Sequence, residues 1–417
     1  MAILLPKLGR PVWVLLSGVL FVHLGTFLLL PYFPVVLTSA KGLTLGQTGL
    51  VIGAGSIAYL VGSLLGGVFS DRFGQKLTMI TGLLIRGGGL LLLVWADSFY
   101  ALFLINLVSG VGDGLYMPPA KAGIASFSAE GTKTTAFSYR GIAANIGVTL
   151  GPLIGMLLLH QGPGWLFTGA AAVYVGLAVS HMLLLERDCI GPECREQTRV
   201  PLRALLQDRP FLIYSAVTIL LWALFAQFTL SLPLRAQQIQ AARNIGVIWT
   251  VTSLIVIVLQ TPLTRLFAKR LHPLRAMATG TVLIALGLGS VAFSSSFWQL
   301  FASAVVFTIG NMLVMPTSDA IVSDLATEDR MGIYFGVSAF VFGAGEALGN
   351  IGGGQLMQAA VNLDTLAMPW LLYGMIGVVI GIAYFLLAVW PPLAGPLAPV
   401  LEERTRSHGF VRKKQKT

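Results

Sequence analysis

Four ionisable side chains of this 417-residue chain lie deep inside long apolar stretches: His23, Arg86, Asp113 and Glu346. A charge in apolar surroundings is costly, so each is a candidate for function, with a helix–helix hydrogen bond as the plainer role. Arg86 and Asp113 fall at similar depth by residue count and can form an intramembrane ion pair, which would make Asp113 structural. Glu346 stands among glycines with no evident cation nearby and suits a carboxyl that takes up and releases protons. Asp113, Glu346 and His23 are therefore the proton-coupling candidates. A second pattern is aromatic: Trp222, Phe225 and Phe228 recur every third residue, close enough for a shared helix face or flank. An apolar wall with sparse polar handles suits amphipathic solutes, although the same spacing serves ordinary packing.

The elements that must hold these residues follow from composition. The chain is 55% hydrophobic and only 11% charged, whereas a soluble domain carries about 25% charge. High hydrophobicity excludes disorder, and two cysteines exclude a disulfide scaffold. What remains is an all-α polytopic membrane protein. Apolar stretches fall at 12–37, 46–69, 77–95, 99–120, 136–160 and 164–185, then at 211–232, 244–266, 274–293, 297–318, 331–357 and 367–390. That predicts 12 transmembrane helices in a lipid bilayer, each near the ~20 residues that a span needs. A barrel would alternate every second residue instead. The first stretch exceeds the ~7–15 apolar residues of a signal peptide and is read as an uncleaved helix. Of the 27 Lys and Arg, 23 fall on the side of both termini; Lys41, Arg235 and Arg243 fall opposite, and Arg86 lies within a span. Such a bias predicts cytoplasmic termini. The +10 net charge is then mostly a topology signal, with no basic soluble face for nucleic acid.

Sliding the chain by 198 residues superposes Ser98-Phe99 on Ser296-Phe297, Gly112 on Gly310, Met117-Pro118 on Met315-Pro316 and Glu130 on Glu328. Gly147, Gly151 and Gly155 likewise fall on Gly345, Gly349 and Gly353. A constant register over such a length means two homologous halves. The expected domains are an N-terminal six-helix bundle (1–187), a cytoplasmic central loop (188–209), a C-terminal six-helix bundle (210–392) and a basic cytoplasmic tail (393–417). Repeats of this kind place a site between the halves near the midplane.

The loop after the second stretch reads Gly67-Val68-Phe69-Ser70-Asp71-Arg72-Phe73-Gly74-Gln75-Lys76. It resembles the G-x-x-x-D-R-x-G-x-K loop of the major facilitator superfamily. Gly147-Val148-Thr149-Leu150-Gly151-Pro152-Leu153-Ile154-Gly155 resembles the antiporter motif of that family's 12-helix drug:proton branch, with Met156 where its last glycine usually stands. More specifically, Arg86-Gly87-Gly88-Gly89 and Pro369-Trp370 are similar to MdtH-type multidrug exporters. In the motif loop, Gly67 should admit close helix approach, Gly74 a tight turn, and Asp71, Arg72 and Lys76 a charge-assisted clasp. The resemblance implies that Asp71 clasps the start of the eleventh helix, with Arg330 as the nearest cationic partner. It also implies that the Gly147–Gly155 stripe belongs to the seal between halves. The repeat mates of that stripe are expected against Ala58, Gly62 and Gly66. Cavity candidates mapped from the family are Phe27, Tyr32, Asn106, Tyr116, Trp222, Phe225, Phe228 and Asn311, with Thr26 and Gln227. Asn106 stands where the branch carries an intramembrane arginine, so the usual coupling arrangement is altered. Asp324, Glu328 and Asp329 could face Arg265, Lys269, Arg270 and Arg275 as an inner gate.

Cys189 and Cys194 lack companion ligands for a metal, and Gly53-Ala54-Gly55 lies inside a span rather than in a dinucleotide-binding unit. No cofactor, metal, nucleic acid or enzyme constellation is expected. The partners are a small-molecule substrate, protons and lipid, and the chain is expected to act as a monomer. The reading is a proton-coupled exporter of small amphipathic compounds in a bacterial inner membrane. A dedicated exporter of a metabolite such as a siderophore, a lipid-handling protein, or a receptor or scaffold without transport are the alternatives.

Overall fold

A computed structural model of the chain describes residues 8–128, 133–185, 208–241, 244–268, 271–326, 331–395 and 397. The described residues contain helices and no strand. In chain order they are α1 (Arg10–Leu29), α2 (Phe33–Ser39), α3 (Leu45–Phe73), α4 (Gln75–Trp95), α5 (Phe99–Ser126), α6 (Lys133–Gln161) and α7 (Pro163–Leu184). There follow α8 (Arg209–Thr229), α9 (Ser231–Gln238), α10 (Ile245–Ala268), α11 (Pro273–Ser290), α12 (Phe297–Leu325), α13 (Met331–Asn362), α14 (Met368–Leu387) and a short α15 (Pro391–Ala394). The pairs α1–α2 and α8–α9 each form one span with a break, giving 12 spans. Ten of the helical stretches are long and apolar enough to cross a membrane, and Ile245–Gln260 is a shorter apolar segment.

Local sequence explains the ends. Thr44 and Ser296 close capping boxes with Gln47 and Gln299, and Ser98 accepts from the Ala101 N–H. The repeated Ser-Phe pair is thus a helix start used twice. Gly74 joins α3 directly to α4 at φ +89°, where a side chain would be strained. Pro31 denies α1 a backbone donor and ends it before α2. Aromatic side chains crowd the side opposite the termini: Trp95, Tyr100, Trp165, Phe293 and Trp298 are exposed there, as an interfacial belt would be. Two exceptions to the charge bias also gain a reason, while Arg243 lies outside the described residues. Lys41 Nζ donates to the Val94 carbonyl at 2.9 Å and meets Asp97 at 3.0 Å. Arg235 donates to the Ser294 carbonyl at 2.8 Å. In each half a cation from the end of the first span holds the outer hairpin.

Glycines set the helix packing. The Gly147–Gly151–Gly155 stripe lies on α1, where a Cβ at Gly151 would sit 2.8 Å from the Leu24 carbonyl and the Leu28 nitrogen. Its mates Gly345, Gly349 and Gly353 lie on α8, against Trp222, Ala223 and Gln227. The expectation that they pack on Ala58, Gly62 and Gly66 is corrected: Gly62 and Gly66 receive Val111 and Leu115 of α5. Repeat symmetry explains this, because each stripe serves the first span of its own half. Gly67 has nothing within 4 Å, so it does not provide the close approach expected of it. Gly151→Val and Gly349→Val should each cost about 1–3 kcal/mol through overpacking, read as a lower thermal unfolding midpoint. Gly67→Ala and Gly352→Ala, where space is open, should leave the midpoint unchanged.

The two halves meet from mid-bundle to the far side. Thr38 donates to Gln237 at 2.8 Å, Leu45 N–H to Gln358 at 3.1 Å, and Thr250 to the Thr149 carbonyl at 3.2 Å. Asn350 donates to Ser56 at 3.3 Å near mid-helix. Backbones approach directly where Gly49 faces Gly354. Among the described residues, no polar contact joins the halves on the side of the termini. The hydrogen bonds described between the halves therefore all lie from mid-bundle to the far side.

Candidate functional site

The walls between the halves differ in chemistry. On the N-terminal half, α1 brings His23, α3 Tyr59, α5 Asp113 and Lys121, and α6 Arg140. These groups act on one another electrostatically: Tyr59 feels Asp113, Glu346 and Arg140, and His23 feels Arg140, Asp113 and Lys121. On the C-terminal half the wall is aromatic. Trp222 meets Phe342 at 4.9 Å and Phe225 at 5.6 Å, and Phe228 stacks on Phe307 at 4.5 Å. Trp249 packs on Phe228 at 4.8 Å and reaches Phe27 of the other half at 5.8 Å. Phe225, Phe342 and Phe27 are half-buried, whereas Phe228, Trp249 and Phe307 are buried. The sequence's aromatic triplet is thus partly packing and partly accessible wall.

Glu346 is half-buried on α13, between the strip that packs on α8 and the strip that packs on α3. The charge of Asp113 acts on it from the opposite half. Its neighbours Asn350 and Phe342, one turn to either side, face Ser56 and Trp222. The structure therefore places the two candidate carboxylates within electrostatic reach of each other, which the sequence had no means of specifying. Arg86 also acts electrostatically on Asp113, but its Nη1 donates to Ser109 at 3.2 Å and its guanidinium lies 5.8 Å from the Tyr174 ring. Among the described residues, the ion pair inside 4.0 Å is Lys41–Asp97, so Arg86 and Asp113 are neighbours rather than a closed pair. Gly87 and Gly89 let α4 approach α7 and α5 beside Arg86. His23 holds the Val19 carbonyl through Nδ1 at 2.8 Å, which leaves Nε2 as its remaining ring nitrogen.

Several mapped cavity residues take up packing positions. Asn106 is 6% exposed and donates to the Val51 carbonyl at 2.7 Å; it ties α5 to α3 and is not an accessible wall. Tyr116 is buried against His181, with OH and Nε2 3.1 Å apart. Tyr32 is buried and donates to the Pro152 carbonyl at 2.8 Å, beside Gly246 of the other half. Thr26 bonds Tyr174 at 2.8 Å, and Gln227 bonds the Gly349 carbonyl at 2.8 Å. Asn311 is half-buried with an Oδ1 that has no partner among the described residues. It is the repeat mate of Asp113 in the 198 register.

The motif loop is placed in part. Lys76 donates to the Leu185 carbonyl at 2.6 Å, a cation at a helix C-terminus where the dipole favours it. Arg72 lies 5.4 Å from the Phe73 ring. The Asp71 side chain and Arg330 lie outside the described residues, as do Glu328, Asp329, Lys269, Arg270 and the Arg265 side chain; Asp324 and Arg275 are exposed. In the antiporter motif, Thr149 and Pro152 touch α10 of the other half while the glycines hold α1. Sequence reasoning missed Tyr59, Lys121, Arg140 and Asp319. Lys121 and Asp319 are repeat mates, both exposed, and their charges act on each other across the halves. The 198 register was the signal that could have found them.

The model of the Major Facilitator Superfamily matches residues 15–350 and 236–415. Similar proteins include the Multidrug resistance protein MdtH of Aeromonas salmonicida (strain A449), 27% identical over 377 residues, 89% of this chain and 93% of that one. The Multidrug resistance protein MdtH of Yersinia pestis (strain Pestoides F) is 28% identical over 375 residues, 89% of this chain and 92% of that one. An uncharacterized MFS-type transporter of Mycobacterium tuberculosis (strain ATCC 25618 / H37Rv) is 29% identical over 377 residues, 87% of this chain and 89% of its own. Among solved structures, the nucleoside transporter NupG superposes with a TM-score of 0.77 at 14% identity, covering 91% of this chain and 99% of its own. A POT family transporter superposes at 0.76 and 13%, covering 92% and 96%. Helical content, twelve spans in two related halves and the motif loop agree with these likenesses, and the chain belongs to the Major Facilitator Superfamily.

Proposed function

We propose that this protein is a proton-coupled secondary transporter that exports small amphipathic compounds by alternating access. The observation that carries the reading is that the described hydrogen bonds between the halves are all found from mid-bundle to the far side. The aromatic wall lies at the same levels as these bonds, while the charged residues Arg140 and Lys121 lie towards the side of the termini. With the termini cytoplasmic, as the distribution of Lys and Arg favours, this conformation receives solute from the cytoplasm. Asp113 and Glu346 approach from opposite halves and repel when both are ionised. A proton on either relieves that repulsion, and rocking of the halves changes the spacing on which it depends. Relatives named for multidrug resistance support the export of drug-like solutes. The deciding measurement is flux in proteoliposomes with an imposed pH gradient. Uphill movement of several unrelated lipophilic dyes, each accompanied by proton movement, is the expected result. Flux of one compound alone would favour a dedicated exporter, and no flux at all would sink transport in favour of a receptor or scaffold.

A further inference from the structure

We propose that Arg140 is the anchor of an anion-binding subsite in the central cavity, so that the preferred solutes are aromatic compounds bearing an acidic group; this rests on the transport reading above. Arg140 lies about two turns into α6 from Lys133, roughly 10 Å along the axis. It is half-buried, and its Nε is shut off from solvent without a hydrogen-bond partner among the described residues. An unsatisfied guanidinium N–H in such a place is costly. Its electrostatic neighbours come from three other helices at once: His23 of α1, Tyr59 of α3, and Tyr116 and Lys121 of α5. A side chain in reach of all three occupies the inner wall and does not extend outward to lipid headgroups.

The charge balance of the cavity singles Arg140 out. Arg86 lies in electrostatic reach of Asp113, and Lys121 of Asp319 across the halves, although neither closes an ion pair inside 4.0 Å among the described residues. Lys41 has Asp97, while Lys76 and Arg235 hold backbone carbonyls. Arg140 has neither a carboxylate nor a carbonyl among the described residues, and the nearby charges of Lys121 and His23 deepen the positive field. A planar guanidinium is suited to a carboxylate, sulfonate or phosphate group, which it can hold through two parallel N–H bonds.

The second half of the solute is specified across the cavity. Tyr59 lies in electrostatic reach of both Arg140 and Glu346. One turn from Glu346 on α13 stands Phe342, which packs on Trp222 and Phe225. An acidic group on Arg140 therefore leaves the body of the solute facing aromatic rings of the other half.

The test uses the purified full-length protein and two probes with the same ring, 2-naphthoate and uncharged 2-naphthamide, titrated calorimetrically. Wild type is expected to prefer naphthoate. Arg140→Gln should weaken naphthoate on the order of tenfold, the change that ~1.4 kcal/mol makes, while Arg140→Lys recovers most of it. Naphthamide should bind all three proteins alike, which also shows that the variants are folded. The subsite is overturned if wild type shows no preference for naphthoate, including no binding, or if Arg140→Gln leaves the preference intact. Preference for the 2-naphthylmethylammonium cation overturns it in favour of recognition by Asp113 and Glu346. Naphthoate binding with no flux of naphthoate or of any of the lipophilic dyes would instead retain the subsite and refute transport.

Discussion

Glu346→Gln protein should retain exchange of solute down its own gradient but lose most of its proton-driven accumulation. Linkage between two ligands is typically about 1–3 kcal/mol, a factor of roughly 5–150, and the loss is expected within that range. The argument is geometric. Glu346 occupies a strip of α13 between the α8 contact of Gly345 and Gly349 and the α3 contact of Gly343 and Asn350. It feels Asp113 of the opposite half, so its charge state is tied to the distance between halves. Gln keeps the volume and removes the proton. Asp113→Asn should have a smaller effect, because Arg86 on the adjacent helix compensates Asp113 within its own half. If both single variants and the double variant pump as wild type, the coupling proton resides elsewhere, and His23→Gln becomes the next variant to measure.

Reversing one charge of the Lys121/Asp319 pair should shift the balance between conformations, and reversing both should restore it. The two residues are repeat mates, exposed on the side of the termini, and just past Pro118–Pro119 in α5 and Pro316 in α12. Proline inside a helix removes a backbone bond and permits a kink. The segments bearing Lys121 and Asp319 can therefore bend towards each other as the far side opens, closing an ion pair that is absent within 4.0 Å in this conformation among the described residues. An exposed pair contributes only about 0.2–1 kcal/mol, and a like-charge pair opposes closure by a similar amount. Lys121→Asp should thus lower the outward-open population by roughly threefold to tenfold. With Cys189→Ser and Cys194→Ser as background, a Gln237→Cys probe in the far-side seal reads this as slower labelling by an impermeant thiol reagent. Recovery of the labelling rate in Lys121→Asp/Asp319→Lys is the decisive outcome; equal labelling in all variants would show that the pair does not gate.

Much of the fold was legible because lipid imposes simple rules on sequence. Apolar length and scarce charge fixed the spans, the basic bias proposed their direction, and the 198-residue register paired the halves, down to Ser98 and Ser296 as matching helix caps. Gly74 announced its turn because no other residue adopts φ +89° without strain. The site was less legible. Asn106 looked like a cavity residue because its stretch lines the cavity in the family, yet its face of α5 packs on Val51. Arg140 drew no notice because counting charges ignores the direction of a side chain. The Gly345–Gly353 stripe advertised close packing without naming α8 as its partner.

Composition and periodicity act along one chain, so the sequence by itself determined the number of helices, their two-fold repetition and which residues are costly to bury. Only the tertiary structure decided which of those residues meet. Glu346 and Asp113 stand 233 positions apart in sequence, and Lys121 and Asp319 stand 198 apart, and no local rule brings either pair together. Their electrostatic reach of each other depends on how α3 and α13 cross and on how the two halves sit together, and for Lys121 and Asp319 it comes without an ion pair inside 4.0 Å. Both are settled by glycine contacts and cross-half hydrogen bonds that exist only once every helix is in place.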